Sequence, residues 1–155
     1  MLAFFEWCES TLIGVAVRES LWLFPMIEAV HLLGLSLLGG VLLVVDLRML
    51  GLGLKAQSIA ELARQTRPWL VASVLAMVAT GVPLFLSEAV KCYYNTSFWV
   101  KISTLPVALL YTFLVRQRIA ADPGLVTSAR SRLTAIGSLA LWFTVAAAGR
   151  WIGFS

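Results

Sequence analysis

The stretch "MIEAVHLLG", Met26 to Gly34, sets a glutamate and the only histidine of the chain three residues apart inside an otherwise apolar run. At that spacing Glu28 and His31 share one face of a helix. They offer a carboxylate, a titratable imidazole and a nitrogen able to ligate a metal. If the later apolar runs cross a bilayer, two more charges reach the same level: Lys101 near the start of the third run and Arg150 near the end of the fourth. A lone charge at the centre of a membrane helix costs about 2.5–3.5 kcal/mol, so such groups face the protein interior and pair or bind. Glu28, Lys101 and Arg150 together leave one net positive charge before His31 titrates. The cluster therefore favours an anionic or hydrogen-bond-accepting ligand.

The elements that must hold these groups are membrane helices. Of 155 residues, 60% are apolar and 13% charged, and the mean hydropathy is +0.90, far from the composition of a soluble domain. Four runs approach the length needed to span about 30 Å of hydrocarbon at 1.5 Å per residue. They cover residues 21–45, 68–87, 98–115 and 133–152. The expected fold is all-α: an integral membrane four-helix bundle in one domain over 1–155, preceded by a short amphipathic interfacial helix within 1–19. The first twenty residues hold Glu6, Glu9 and Glu19 and no basic n-region, unlike a cleaved signal peptide.

Basic residues fix the expected orientation. Arg48, Lys55, Arg64 and Arg67 gather in the first connection and Arg116, Arg118, Arg130 and Arg132 in the third, which places both connections in the cytoplasm and both termini outside. A pI near 9.5 follows from this bias; with no dense basic run, nucleic acid is not a partner. Ser20 and Ser97 are placed to cap the first and third spans, Pro68 to begin the second, and Pro123 with Gly124 to turn the third connection. Asp46 and Arg48 form a cytoplasmic boundary ion pair. Cys8 and Cys92 both fall on the outer side, where an oxidising compartment permits a disulfide or leaves two independent thiols. Ser36 with Gly40, Ala72 with Ala76 and Thr80, and Ala140 with Thr144 and Ala148 supply small residues four apart as packing surfaces within the bundle.

"RESLWLFPMIEAVHLLG" from Arg18, "GGVLLVVDLRMLG" from Gly39, "NTSFWVK" ending at Lys101 and "GRWIGF" from Gly149 resemble, over most of the chain, a family of small, largely uncharacterised bacterial four-helix membrane proteins described as similar to copper-resistance D proteins. The resemblance implies a bacterial inner-membrane location and four-helix architecture, and suggests that metals or haem be considered.

Copper lacks soft ligands here, since only Met26 lies near His31 and Glu28 is a hard donor. A di-iron bundle needs Glu-x-x-His on two helices, and the chain has one copy. Haem b fits the residues better, with His31 as axial ligand to the iron and Lys101 and Arg150 as propionate partners. One histidine then leaves the sixth position vacant, filled otherwise, or shared with a second chain. A quinone fits the same groups, with Trp22 or Trp99 stacking on its ring. The expected function is thus cofactor binding for electron transfer. The alternatives are an accessory membrane subunit without cofactor, and a small-ion or proton transporter whose path is lined by Ser73, Thr80, Ser87, Thr104 and Thr112. Between Glu28 and Asp46, which share an azimuth about 27 Å apart along the axis, the stripe is filled by Leu35, Gly39 and Leu42. That interruption disfavours a proton wire on the first helix. No phosphate loop, catalytic carboxylate pair or activated nucleophile points to an enzyme. The bilayer is the evident partner; a homo-oligomer or a larger membrane complex stays open.

Overall fold

The N-terminal apolar segment folds as two short helices rather than one, α1 (Leu2–Glu9) and α2 (Leu12–Glu19). Thr11 leaves helical geometry between them, and its hydroxyl accepts the Gly14 N–H as an N-cap. The computed structural model describes residues 1–53, 56–122 and 129–154; the turn expected at Pro123 and Gly124, and Lys55, lie outside them. Next come α3 (Leu23–Met49), α4 (Ile59–Ser87), α5 (Ala89–Tyr94) and α6 (Thr96–Leu110). A π-helical segment, Tyr111–Arg116, joins α6 to α7 (Gln117–Ala121), and α8 (Ala129–Ile152) follows. Four helices, α3, α4, the continuous rod Thr96–Ala121 and α8, are long and apolar enough to cross a membrane. The all-α, four-span architecture is as expected.

Each span runs past the limits that hydropathy alone suggests, and at α4 and α6 a side-chain cap holds the added polar turns. Ser58, not Pro68, opens α4: its hydroxyl accepts the Glu61 N–H, and a glutamate three residues after a serine is the signature of a capping box. Pro68 consequently lies inside the helix, as does Pro83. Asn95, not Ser97, caps α6, its side chain accepting the N–H groups of Ser97 and Phe98. Trp22, not Ser20, stands at the N-cap of α3, and Ser20 accepts the Leu23 N–H at 3.2 Å from two residues before it. At the end of α3, Gly51 adopts φ +83°, and the N–H groups of Leu52 and Gly51 return to the carbonyls of Leu47 and Arg48. This Schellman closure needs the left-handed backbone that glycine tolerates.

Helix α3 packs on α4, the rod packs on α8, and α3 meets α8, whereas α4 and α6 barely touch. Both termini lie at one end of the bundle, with α1 packed on α5 and the Asn95 amide donating to the Ile152 carbonyl. From the opposite end, which carries the α3–α4 and α7–α8 connections, the interior is layered. An apolar layer of Val45, Met49, Ile59, Leu62, Ala63, Ala120 and Ala135 comes first. Leu38, Val41, Leu42 and Leu70, with Phe113 and Trp142 against them, fill the middle. Phe5, Cys8 and Ala89, joined by Phe85, Tyr93 and Phe98, close the termini end.

The small residues expected to pack do so only in part. Ser36, Gly40, Ala72, Ala140 and Thr144 face outward. Close approach is made instead at other glycines: an added Cβ would stand 3.4 Å from Met77 at Gly34, 2.7 Å from the Tyr111 hydroxyl at Gly137, and 2.6 Å from the Leu86 carbonyl oxygen at Gly14. The last contact seats α2 on the end of α4. Glu9 secures the same corner by accepting the Val90 N–H at 3.0 Å and pairing with Arg18 at 3.1 Å.

Candidate functional site

Helix α3 turns a stripe of Phe24, Ile27, His31, Gly34, Leu38, Val41 and Val45 inward, each at least half-buried, while Met26, Val30 and Leu33 face out. His31 is therefore aimed at α4, where its Nδ1 lies 2.7 Å from Thr80 Oγ1. The Thr80 hydroxyl also lies 2.6 Å from the Ala76 carbonyl oxygen. A carbonyl cannot donate, so the single Thr80 proton occupies that contact. Nδ1–H must then donate to Thr80, and Nε2 keeps its lone pair. Gly81 makes room for the ring: a Cβ there would stand 3.3 Å from His31 Cε1.

Lys101 enters the same layer from α6. Its alkyl stem lies along Gly149 of α8, where a Cβ would be 3.5 Å from Nζ, and its charge is felt at both His31 and Cys92. The ammonium has no carboxylate or hydrogen-bond partner among the described residues. His31 Nε2 on α3 and the Lys101 ammonium on α6 each lack a hydrogen-bond partner among the described residues. The walls around them are uneven: no residue of 23–33, 74–86 or 96–107 is fully buried, whereas Val145 and Ala148 of α8 are.

The other members of the expected cluster are elsewhere. Glu28 is exposed on the flank of α3 and pairs with neither Lys101 nor Arg150. Arg150 is exposed and stacks its guanidinium 4.5 Å from the Phe154 ring centroid. Trp22 stands 77% exposed at the start of α3. Trp99 joins the aromatic group of Phe5, Tyr93 and Phe98 and donates its indole N–H to the Tyr93 carbonyl. Neither indole lies over the His31 ring. The four-group cluster reduces to His31 and Lys101, supported by Thr80 and two glycines.

A second polar centre lies toward the connection end. Asp46 pairs with Arg116, not with Arg48: Arg116 Nε donates to Asp46 Oδ1 at 2.6 Å, with the two side chains 1% and 0% exposed. Ser138 of α8 donates to Asp46 Oδ2 at 2.7 Å, and Arg116 Nη2 donates to the Leu42 carbonyl at 3.1 Å. Arg48 instead donates to the Gln57 carbonyl. The π-helical segment carries Arg116 inward, and Trp142 donates to Thr112 on the preceding turn. Both Asp46 oxygens are occupied and no buried side-chain donor or acceptor among the described residues lacks a partner. This centre is complete, and it ties α3, the rod and α8 together.

Cys8 and Cys92 are free and buried on contacting helices α1 and α5; the bridge is not formed in this structure. Burial, followed by the negative charge of Glu88, pushes the Cys92 thiol up to about 11. The hydroxyls of Ser73, Thr80, Ser87 and Thr104 bond to carbonyls of their own helices, the usual resting state of such groups in membrane helices. No group of three or more His, Cys, Asp or Glu side chains gathers as a metal site among the described residues.

Four helices long and apolar enough to cross a bilayer define a small multi-pass membrane protein. More narrowly, the chain belongs to DUF6644, a family of unknown function whose profile matches residues 4–155. No curated protein and no solved structure matches the chain.

Proposed function

We propose that the His31–Lys101 layer binds the headgroup of a membrane quinone and serves electron transfer. The observation that carries this reading is that His31 Nδ1 is held by Thr80, which leaves Nε2 as an acceptor, while the Lys101 ammonium beside Gly149 has no partner among the described residues. A quinol hydroxyl can donate to Nε2, while a quinone carbonyl can accept from Lys101. The cation stabilises negative charge on that oxygen, and Thr80 holds the imidazole in the tautomer that leaves the acceptor outward. Shallow burial of α3, α4 and α6 at this level suits a ligand that arrives through the lipid. With the expected orientation, termini outside a bacterial inner membrane, the site lies near the outer leaflet.

Haem b is the second reading, favoured by the same Nε2. An axial histidine commonly donates its other N–H to a fixed acceptor, the role Thr80 fills. Lys101 would then hold a propionate, while Arg150, stacked on Phe154, would need to move to help. The matched family is one of unknown function and carries no link to copper-resistance D proteins, so it contributes no ligand set to either reading. An accessory subunit without cofactor, or a transporter, is the outcome if neither ligand binds.

The test uses the full chain purified in detergent after expression with haem precursor. We expect saturable binding of a short-chain quinone, weakened at least tenfold in Lys101→Met and His31→Ala, with a featureless visible spectrum. A Soret band that disappears in His31→Ala would replace quinone with haem. Absence of both signals in the wild-type protein would overturn both readings.

A further inference from the structure

The outer face of α4 carries an open groove that owes nothing to the His31 layer. Arg64, Arg67, Pro68, Val71, Ala72 and Leu75 line it. Their spacing forms two adjacent rows, Arg64–Pro68–Ala72 and Arg67–Val71–Leu75, each headed by an arginine. Ala72 is small, and the groove runs between the rows below the two guanidinium groups.

Depth assigns the chemistry. From Pro68 to Ser87 the helix has no charged residue, and twenty residues at 1.5 Å each match a hydrocarbon core of about 30 Å. Arg67 and Arg64 therefore stand at the headgroup level, with Val71, Ala72 and Leu75 beside the first acyl carbons. Trp69, 59% exposed, marks the same boundary. Arg64 shares its charge with Glu61. Arg67 is exposed and pairs with no carboxylate among the described residues. The groove thus joins an uncompensated guanidinium, a second one partly compensated, and an apolar floor in the order in which a phospholipid presents phosphate and chain.

We propose that this groove is a binding site for an anionic phospholipid, with the phosphate between Arg64 and Arg67 and an acyl chain on Pro68, Val71, Ala72 and Leu75. An anionic headgroup meets the free charge, whereas a zwitterionic one also brings a cation toward the two arginines.

Native mass spectrometry of the full chain, titrated with phosphatidylglycerol or phosphatidylcholine, tests the site. The expected result is a preference for phosphatidylglycerol that falls about fivefold in Arg67→Gln, the effect of one basic residue near an anionic surface. Ala72→Trp, which fills the floor and leaves every charge in place, should weaken the same lipid. Arg132→Gln, an exposed arginine at the same end of the bundle, should leave it unchanged. Equal affinity for the two lipids would overturn the proposal, as would an effect of Arg132→Gln as large as that of Arg67→Gln. Displacement of the lipid by millimolar inorganic phosphate, with no effect of Ala72→Trp, would also overturn it by showing a free-anion site.

Discussion

Removing one member of the Asp46–Arg116 pair should destabilise the bundle far more than removing both. In Arg116→Met, the Asp46 carboxylate keeps Ser138 as a donor but loses its only cation, inside a layer where the two side chains are 0% and 1% exposed. Breaking a buried pair from one side costs about 3–5 kcal/mol. At about 1.4 kcal/mol per factor of ten, the unfolding equilibrium moves by roughly two to three and a half orders of magnitude. In the double variant Asp46→Leu with Arg116→Met, no charge is buried, the Leu42 carbonyl keeps its helical partner, and Ser138 can turn to the carbonyl of Thr134 one turn earlier. Apolar replacements of such pairs are often neutral or stabilising, so the double variant should lie within about 2 kcal/mol of the wild type. With each single variant costing at least about 3 kcal/mol, the coupling is then at least about 4 kcal/mol, well above the ~0.5 kcal/mol scatter of independent sites. Reversible unfolding in mixed micelles, following helicity against detergent composition, reads all four corners of the cycle. Additive single variants, or an Arg116→Met loss below about 1 kcal/mol, would refute the view that this pair holds three helices together.

Three further outcomes follow from other contacts. Thr80→Val removes the acceptor of His31 Nδ1–H and frees the imidazole to change tautomer. Ligand affinity should fall about tenfold or more with the fold intact, as read by quinone or haem titration beside a melting curve; unchanged affinity would remove Thr80 from the site. Gly14→Ala drives a Cβ against the Leu86 carbonyl at 2.6 Å, and both groups are backbone-bound. The α1–α2 pair should lift, so faster proteolysis within residues 1–20, with spans still protected, is the expected result. Cys92 titrates near 11 instead of 9.0 when folded because burial disfavours the thiolate. The unfolded thiol loses its proton first, so its contribution to stability is complete below pH 9 and fades between pH 9 and 11. Cys92→Ala should lack that alkaline decline; an identical decline in the variant would assign it to another group.

Hydropathy made the four spans and their order legible, because membrane helices must bury a long apolar run. Their ends were less legible, since caps at Ser58 and Asn95 extend the helices through polar residues. The same error hid the buried pair. Closing the first and third spans at Val45 and Val115 leaves Asp46 and Arg116 one residue outside, where each reads as a boundary charge. Their depth was the available signal, since both stand within two turns of the connection end. His31 was found by its rarity and Lys101 by its depth. Their separation from Glu28 and Arg150 depends on how far the helices diverge, which no spacing encodes. Glu28 and Asp46 make that plain: they share an azimuth on α3, yet burial rises along the stripe from exposed Glu28 through half-buried Leu35 and Gly39 to buried Leu42 and Asp46.

That gradient separates two kinds of polar group within one bundle. Where the helices close, the low local dielectric makes every unmet donor expensive, and Asp46, Arg116 and Ser138 satisfy one another around a core carboxylate. Where burial is shallower, Lys101 is unpaired and Nε2 of His31 has no donor among the described residues. A group that has used its hydrogen-bonding capacity can stabilise a fold but has little left with which to recognise a ligand. Between the two centres lie the apolar side chains of Leu38, Val41, Leu42, Leu70, Phe113 and Trp142. On the proposed function, ligand would reach the His31–Lys101 layer from the termini side or the surrounding lipid, independently of the Asp46–Arg116 pair. Variants that break the pair should lower stability without changing the intrinsic ligand affinity of the molecules that remain folded.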